Sequence, residues 1–183
     1  MFNTMIARQT PIIQLGNPTL RQIAQPIEDA ADPAIQRLIE TLLKAVKKSN
    51  GVGIAAPQLG ASVRLFVIAS RPNPRYPDAP EMAPIAMLNP QLITQSDATV
   101  KGWEGCLSVP GIRGLVPRSQ AITVEYTDRA GTTHQQQLTG FIARIFLHEL
   151  DHLDGKVFLD RVEATTELMS EQEFYARIVG QPQ

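Results

Sequence analysis

The sequence predicts an α+β fold with short, mostly antiparallel strands around one buried central helix. Three observations carry this. Short β-like runs fill the middle of the chain, helical periodicity is confined to three separate segments, and one of those segments is apolar on nearly every side. A helix apolar all round belongs in the middle of a domain. At 183 residues and 43% hydrophobic composition, residues 1–183 are expected to form one domain. Such a chain buries about two-thirds of its unfolded surface.

The first helix runs from about Pro33 to Ser49. Asp32 suits its N-cap, Pro33 its first position, and Asn50-Gly51 its end. Ile35, Leu38, Ile39, Leu42, Leu43 and Val46 keep a helical period, and Lys44, Lys47 and Lys48 sit near the negative end of the dipole. The next segment, Gly51 to Gly60 (GVGIAAPQLG), lacks the preceding strand and the Lys-Ser/Thr ending of a phosphate loop. It reads either as a tight loop or as a bare backbone strip for an extended ligand, with Gln58 reaching into a site.

RLFVIA (Arg64 to Ala69) and IAMLNP (Ile85 to Pro90) are apolar enough for buried strands, while QLITQS and ITVEYT alternate like half-buried ones. Between the first two, Arg71 to Pro84 holds five of the 14 prolines and predicts a stiff, extended surface loop. Asp128 to Gly131 turns ITVEYT back into TTHQQQL as a hairpin. The second helix spans about Gly140 to Asp154, with Thr139 before it and Gly155 after it. Phe141, Ile142, Ile145, Phe146, Leu147, Leu150 and Leu153 cover nearly all its sides. A last helix is expected from about Thr166 to Val179, with Ser170 and Glu173 as a capping box.

Composition excludes several classes of function. Seventeen Lys+Arg against 18 Asp+Glu give a formal charge of −1, so neither nucleic acid nor a membrane surface is expected as the main ligand. A single cysteine, Cys106, rules out an internal disulfide. No apolar run approaches the roughly 18 residues of a spanning helix. The opening residues lack a secretory pattern, and one Arg in the first ten argues against an organelle presequence. The expectation is a cytoplasmic protein, and with no exposed apolar stripe to force a dimer, a monomer.

The central helix carries His148, Glu149 and His152, two of the chain's three histidines beside a carboxylate. Such groups are costly in an apolar helix unless something partners them. His148 and His152, at i and i+4, point to one face and can bind one ion. Glu149, rotated by about 100° from His148, sits beside that ion, where a base for a bound water belongs. This is the HExxH arrangement, here HELDH. Three fixed positions on a helix also arise by chance, and core histidines satisfied by backbone carbonyls are common. A third ligand is required. Cys106, in GWEGCLSVPG, and the downstream Glu163, Glu167, Glu171 and Glu173 all qualify by spacing. The cysteine would complete a three-ligand site with one position open; a glutamate would suit an HExxH peptidase.

GVGIAAPQ, EGCLS and HELDH, in that order and at these separations, resemble the three signature motifs of peptide deformylases. LGNPTLRQIAQPI near the start and SVPGIRGLVPR after the cysteine are similar to that family as well, and the resemblance weakens after about Val162. It implies an enzyme, a metal-dependent hydrolase that removes the formyl group from N-formylmethionyl nascent peptides and releases formate. It also implies the third ligand: Cys106, His148 and His152 as the metal site, with Fe2+ as the family's usual ion and Zn2+, Ni2+ or Co2+ as substitutes. Glu149 would be the proton shuttle. Gln58 and the backbone N–H of Leu107 would hold the formyl oxygen, and Gly53 would pair with the peptide backbone. Val52 and Phe141 are expected at the methionine pocket and Arg113 in the peptide cleft. Glu104 and Arg118 are expected to pair and brace the cysteine segment.

Two departures from the family pattern stand out. Leu147 replaces a common Gln; loss of a hydrogen bond behind a ligand can change a metal site by about 10–100-fold. It suggests, as an alternative, a deformylase-like paralogue acting on another N-acylated peptide. From Glu163 onward the chain has four Glu and one Arg, so the basic ribosome-docking tail of some members is absent. Any ribosome proximity would be transient.

Overall fold

A computed structural model describes residues 11–179. The reading of the N-terminus as free of a targeting signal falls largely on residues 1–10, outside those described. Among the described residues, no helix is long and apolar enough to cross a membrane.

Helix α1 (Pro33–Lys48) starts as the sequence predicts, with the Asp32 side chain accepting from the Ala34 N–H at 2.7 Å. The strands β1 (Gly53–Ala55), β2 (Leu65–Ile68), β3 (Ile85–Gln95), β6 (Ala121–Thr127) and β7 (Thr133–Thr139) form an antiparallel sheet in that order. Strands β4 (Thr99–Cys106), β5 (Val109–Ser119) and β8 (Leu168–Ser170) form a second sheet of three. Helix α2 (Gly140–Leu153) runs between the two sheets, and α3 (Glu171–Phe174) follows β8.

The four residues of β2 are all fully buried because helices cover both faces of the sheet. Side chains alternate across a strand, so Leu65 and Val67 join the α1 core with Ile39, Leu42 and Val46. Phe66 and Ile68 join the α2 core with Ala143, Phe146 and Leu153. Phe66 meets Phe146 edge to face, with ring centroids 5.3 Å apart. This explains a continuous apolar run where a one-sided strand would alternate.

Three expectations need correction. IAMLNP and QLITQS form one strand, β3, interrupted by register shifts near Asn89. Asn89 adopts a left-handed φ of 49°, and its side-chain amide clasps the Ile27 backbone in both directions, accepting from the N–H at 2.8 Å and donating to the carbonyl at 2.7 Å. GVGIAAPQ is not merely a loop: Gly53–Ala55 is an edge strand, followed by a 3-10 turn over Ala56–Leu59. The last helix is shorter than expected. Ser170 does cap it, accepting from the Glu173 N–H at 3.2 Å, but Leu168–Ser170 pair with Ile112–Gly114 of β5 instead of continuing a helix. The reason is tertiary. Gly114 leaves room for a close approach, since a Cβ there would lie 2.8 Å from Val162 and 2.9 Å from Phe158. Pairing with β5 then satisfies backbone groups that helix propensity alone would have assigned otherwise.

Candidate metal centre and peptide cleft

The site lies on the seam between the two sheets. Cys106 ends β4, where the register against β5 shifts between Glu104 and Cys106. His148, Glu149 and His152 come from α2. The ligating atoms of Cys106, His148 and His152 all lie within 4.8 Å of one another, and Cys106 Sγ is 3.2 Å from His152 Nε2. None of the four downstream glutamates joins them. Glu163 and Glu167 pair with Lys101, Glu171 with Arg113 and Glu173 with Arg177.

Burial opposes ionisation of the Cys106 thiol, but the charge of His152 and hydrogen bonds from both imidazoles outweigh it and hold the thiol well below its ordinary range. Burial likewise opposes protonation of His148, and its bonds to Cys106 and Glu104 prevail, holding it well above the ordinary histidine value. A thiolate and two imidazoles converging at this separation match the three-protein-ligand pattern of a divalent-ion site with a further position open.

A buried ionic network orients the ligands. His148 Nδ1 donates to Glu104 Oε2 at 2.9 Å, which turns Nε2 toward Cys106. Glu104 also accepts from Arg118 at 2.9 and 3.0 Å and from Arg144 at 2.8 Å. Burial alone would raise the Glu104 carboxyl; the His148 hydrogen bond and the Arg118 charge hold it far below the usual carboxylate range. Arg118 continues to Asp151 at 2.6 Å, and Asp151 accepts from Arg161 at 2.6 Å. The expected Glu104–Arg118 brace is thus one part of a larger cluster. Its further members are Asp151, Arg144 and Arg161, to which no motif gives an ionic role.

Glu149 is buried, with Oε2 lacking a hydrogen-bond partner among the described residues. Burial pushes its carboxyl up to about 7 against the pull of His148 and His152. It rests against Gly53, where a Cβ would lie 2.9 Å from its Cδ and 3.0 Å from its Cγ. Gln58 is fixed by accepting from the Ala55 N–H at 2.9 Å and donating to Ser108 Oγ at 3.1 Å; its Nε2 is 3.4 Å from Cys106 Sγ.

A cleft of about 540 Å³ opens onto these groups, and Val52, Gly53, Gln58, Leu107, Arg113 and Phe141 all line it. Every sequence-predicted site residue outside the ligands, together with Glu149, is therefore found at one cavity. Among the described residues, strand β1 pairs only with β2, leaving its other edge unpaired. Arg113 is almost fully buried, so it contributes wall more than reach. Sequence reasoning missed Tyr76, which packs on Phe141 with centroids 5.0 Å apart and meets Arg113 through its hydroxyl at 3.3 Å. The proline density of 71–84 marked the loop, not the aromatic within it. Leu147 is absent from the cleft. It is buried on a different side of α2, beside Leu92 and Leu150 at a separate groove.

A model of the polypeptide deformylase family matches residues 9–167. The chain belongs to the polypeptide deformylase family. Peptide deformylase 2 of Nostoc sp. (strain PCC 7120) is 63% identical over 164 residues, covering 90% of this chain and 92% of that one. Peptide deformylase of Thermus thermophilus is 42% identical over 161 residues, covering 83% and 81%. Among solved structures, the Met-Ala-Ser-bound class I type b peptide deformylase of Acinetobacter baumannii superposes with a TM-score of 0.81 at 42% identity, covering 83% of this chain and 97% of that one. Peptide deformylase of Thermotoga maritima gives 0.76 at 34%, covering 85% and 99%. Membership makes this deformylase a metal-dependent enzyme of N-terminal processing, acting on formylated nascent peptides. The Cys106, His148 and His152 group is where its chain offers a metal three ligands.

Proposed function

We propose that the chain hydrolyses the formyl amide of N-formylmethionyl peptides through the groups just described. The observation that carries this is the convergence, beside an unpaired strand edge, of three ligating atoms with a buried carboxylate on one side and an anchored amide on the other. Cys106, His148 and His152 would hold the ion, with Fe2+ as the expected native metal and Zn2+, Ni2+ or Co2+ as substitutes. When bound, the ion supplies Lewis acidity and lowers the pKa of a bound water from about 15.7 toward about 7.

The chain's own residues do the rest. The peptide lies along the open edge of β1, hydrogen-bonded to the Gly53 backbone as an added strand. Val52 and Phe141 receive the methionine side chain. Gln58 Nε2 and the Leu107 backbone N–H donate to the formyl oxygen as negative charge develops there; one such donor contributes about 3 kcal/mol to the transition state. Glu149, whose carboxyl is raised to about 7 by burial, accepts a proton from the attacking water and returns it to the departing amine. Formate leaves with the oxygen it gained, and the peptide leaves with a free amino group.

The alternative acyl substrate suggested by Leu147 draws no support from the structure, because that side chain lies on a different side of α2 from the cleft. The protein is read as a cytoplasmic monomer that lacks a basic docking tail and whose proximity to the ribosome is at most transient. The test is formate release from formyl-Met-Ala-Ser by anaerobically purified protein loaded in parallel with iron, nickel or zinc. Rapid release that vanishes in Glu149→Ala is expected. A metal-filled protein that releases no formate, or that cleaves acetyl-Met-Ala-Ser equally well, overturns the reading.

A further inference from the structure

The family match ends at residue 167, yet beyond it Glu171 lines a hollow that adjoins the cleft. Strand β8 adds to β5 through Ile112, Arg113 and Gly114. That pairing carries Glu171 to Arg113, whose guanidinium it meets at 2.6 Å, and Phe174 over the same guanidinium at 5.1 Å from the ring centroid. Arg113 in turn lies against Gly105, where a Cβ would be 2.5 Å from its Nη1, one residue from the metal ligand Cys106. A hollow of about 420 Å³ shares Arg75, Gly105, Cys106, Leu107 and Arg113 with the catalytic cleft and is lined as well by Glu171. The Arg113 side chain is 3% exposed and the Glu171 side chain 38%. The anion is therefore the more accessible member of the pair.

We infer that Glu171 is a specificity-determining residue that sets the charge preference for the peptide residues following formyl-methionine. This rests on the reading of the cleft as a formyl-peptide site. A chain leaving the metal past Leu107 enters the hollow, where the carboxylate attracts a basic side chain, repels an acidic one and cancels the field of Arg113. Removing that carboxylate exposes arginine charge to the ligand. Two unit charges about 6 Å apart interact in water with enough energy for about a threefold change in an equilibrium constant. Because lysine and glutamate feel it with opposite sign, their ratio should move about tenfold.

The experiment compares peptide amides with Lys or Glu at the second or third position, such as formyl-Met-Ala-Lys-amide and formyl-Met-Ala-Glu-amide. The nickel-loaded full chain is used as wild type, Glu171→Gln, Glu171→Asp and Glu173→Gln. The ratio of kcat/KM for Lys over Glu is expected to fall about tenfold in Glu171→Gln at one of the two positions, to be retained in Glu171→Asp, and to be unchanged in Glu173→Gln, a charge change beside the site but outside the hollow. A ratio unmoved in Glu171→Gln at both positions, or moved equally by Glu173→Gln, overturns the inference. Calorimetric Kd values for the product peptides Met-Ala-Lys-amide and Met-Ala-Glu-amide give the same ratio without catalysis. If no formyl peptide is hydrolysed, the activity reading fails, and these Kd values still decide the role of Glu171.

Discussion

Replacing Gly53 with alanine places a methyl group against Glu149 while leaving every titratable group of the site in place. The new Cβ would stand 2.9 Å from Glu149 Cδ and 3.0 Å from Cγ, closer still to Oε1. Ordinary contact between carbon atoms is about 3.5–4.0 Å, so the carboxylate must retreat by up to about 1 Å. Its Oε2 has no hydrogen bond to lose among the described residues, so rotation about the side-chain torsions is cheap. The backbone at Gly53 is ordinary edge strand, not the left-handed region, and the stability change should stay within about 1 kcal/mol. Catalysis is less tolerant: a displacement of about 1 Å at a reacting group can cost about 10²-fold. Formate release by nickel-loaded Gly53→Ala should therefore fall by about two orders of magnitude in kcat, with metal content and melting temperature near wild type. A loss below threefold with the folded, metal-filled protein would refute the claim that Gly53 is there to seat Glu149.

Arg118→Met removes the cation that joins Glu104 to Asp151. Arg144 and Arg161 still hold one carboxylate each, so the expected loss is near the lower end for a broken buried pair, about 3 kcal/mol by urea unfolding. In wild type Asp151 is held below its ordinary value: burial would raise it, and its bond to Arg161 and the Arg118 charge prevail. Glu104 is depressed as well, so both contribute stability that is full above the unfolded carboxyl pKa of about 4 and lost as pH falls further. The melting temperature of Arg118→Met should accordingly depend less on acid than that of wild type. Glu149→Gln should abolish turnover yet stabilise the metal-free protein at pH 8. A carboxyl raised to about 7 by burial costs folding stability as pH rises through that value, and the amide does not ionise. Cys106→Ser should bind little zinc by metal analysis, whereas single substitutions of Glu163 or Glu167 should leave zinc content unchanged.

How much of this was legible in advance depended on the range of the interaction. Helix α1 is local, written in Asp32, Pro33 and its 3.6-residue period, and it forms as read. The HELDH geometry is also local, since one helix turn fixes which side chains share a face. The third ligand is not. Cys106 reaches the histidines only because the β4–β5 hairpin folds back at the shifted register, and motif resemblance supplied what spacing left open. The end of the chain misled because Ser170 and Glu173 are a genuine cap, while pairing to β5 depends on space left by Gly114, far away in sequence. Leu147 illustrates the same limit from the other side. Adjacent to a ligand in sequence, it is about 100° away from it around the helix and faces another groove.

Because Cys106 belongs to the three-stranded sheet and both histidines to the helix backing the five-stranded one, an ion held by these three residues would act as a rivet across the seam. Opening the seam would separate the three residues, so whatever energy an ion gained there would also favour the closed seam. A bound ion and the buried Glu104–Arg118–Asp151 pairs would then brace one boundary together, the boundary onto which the peptide cleft opens.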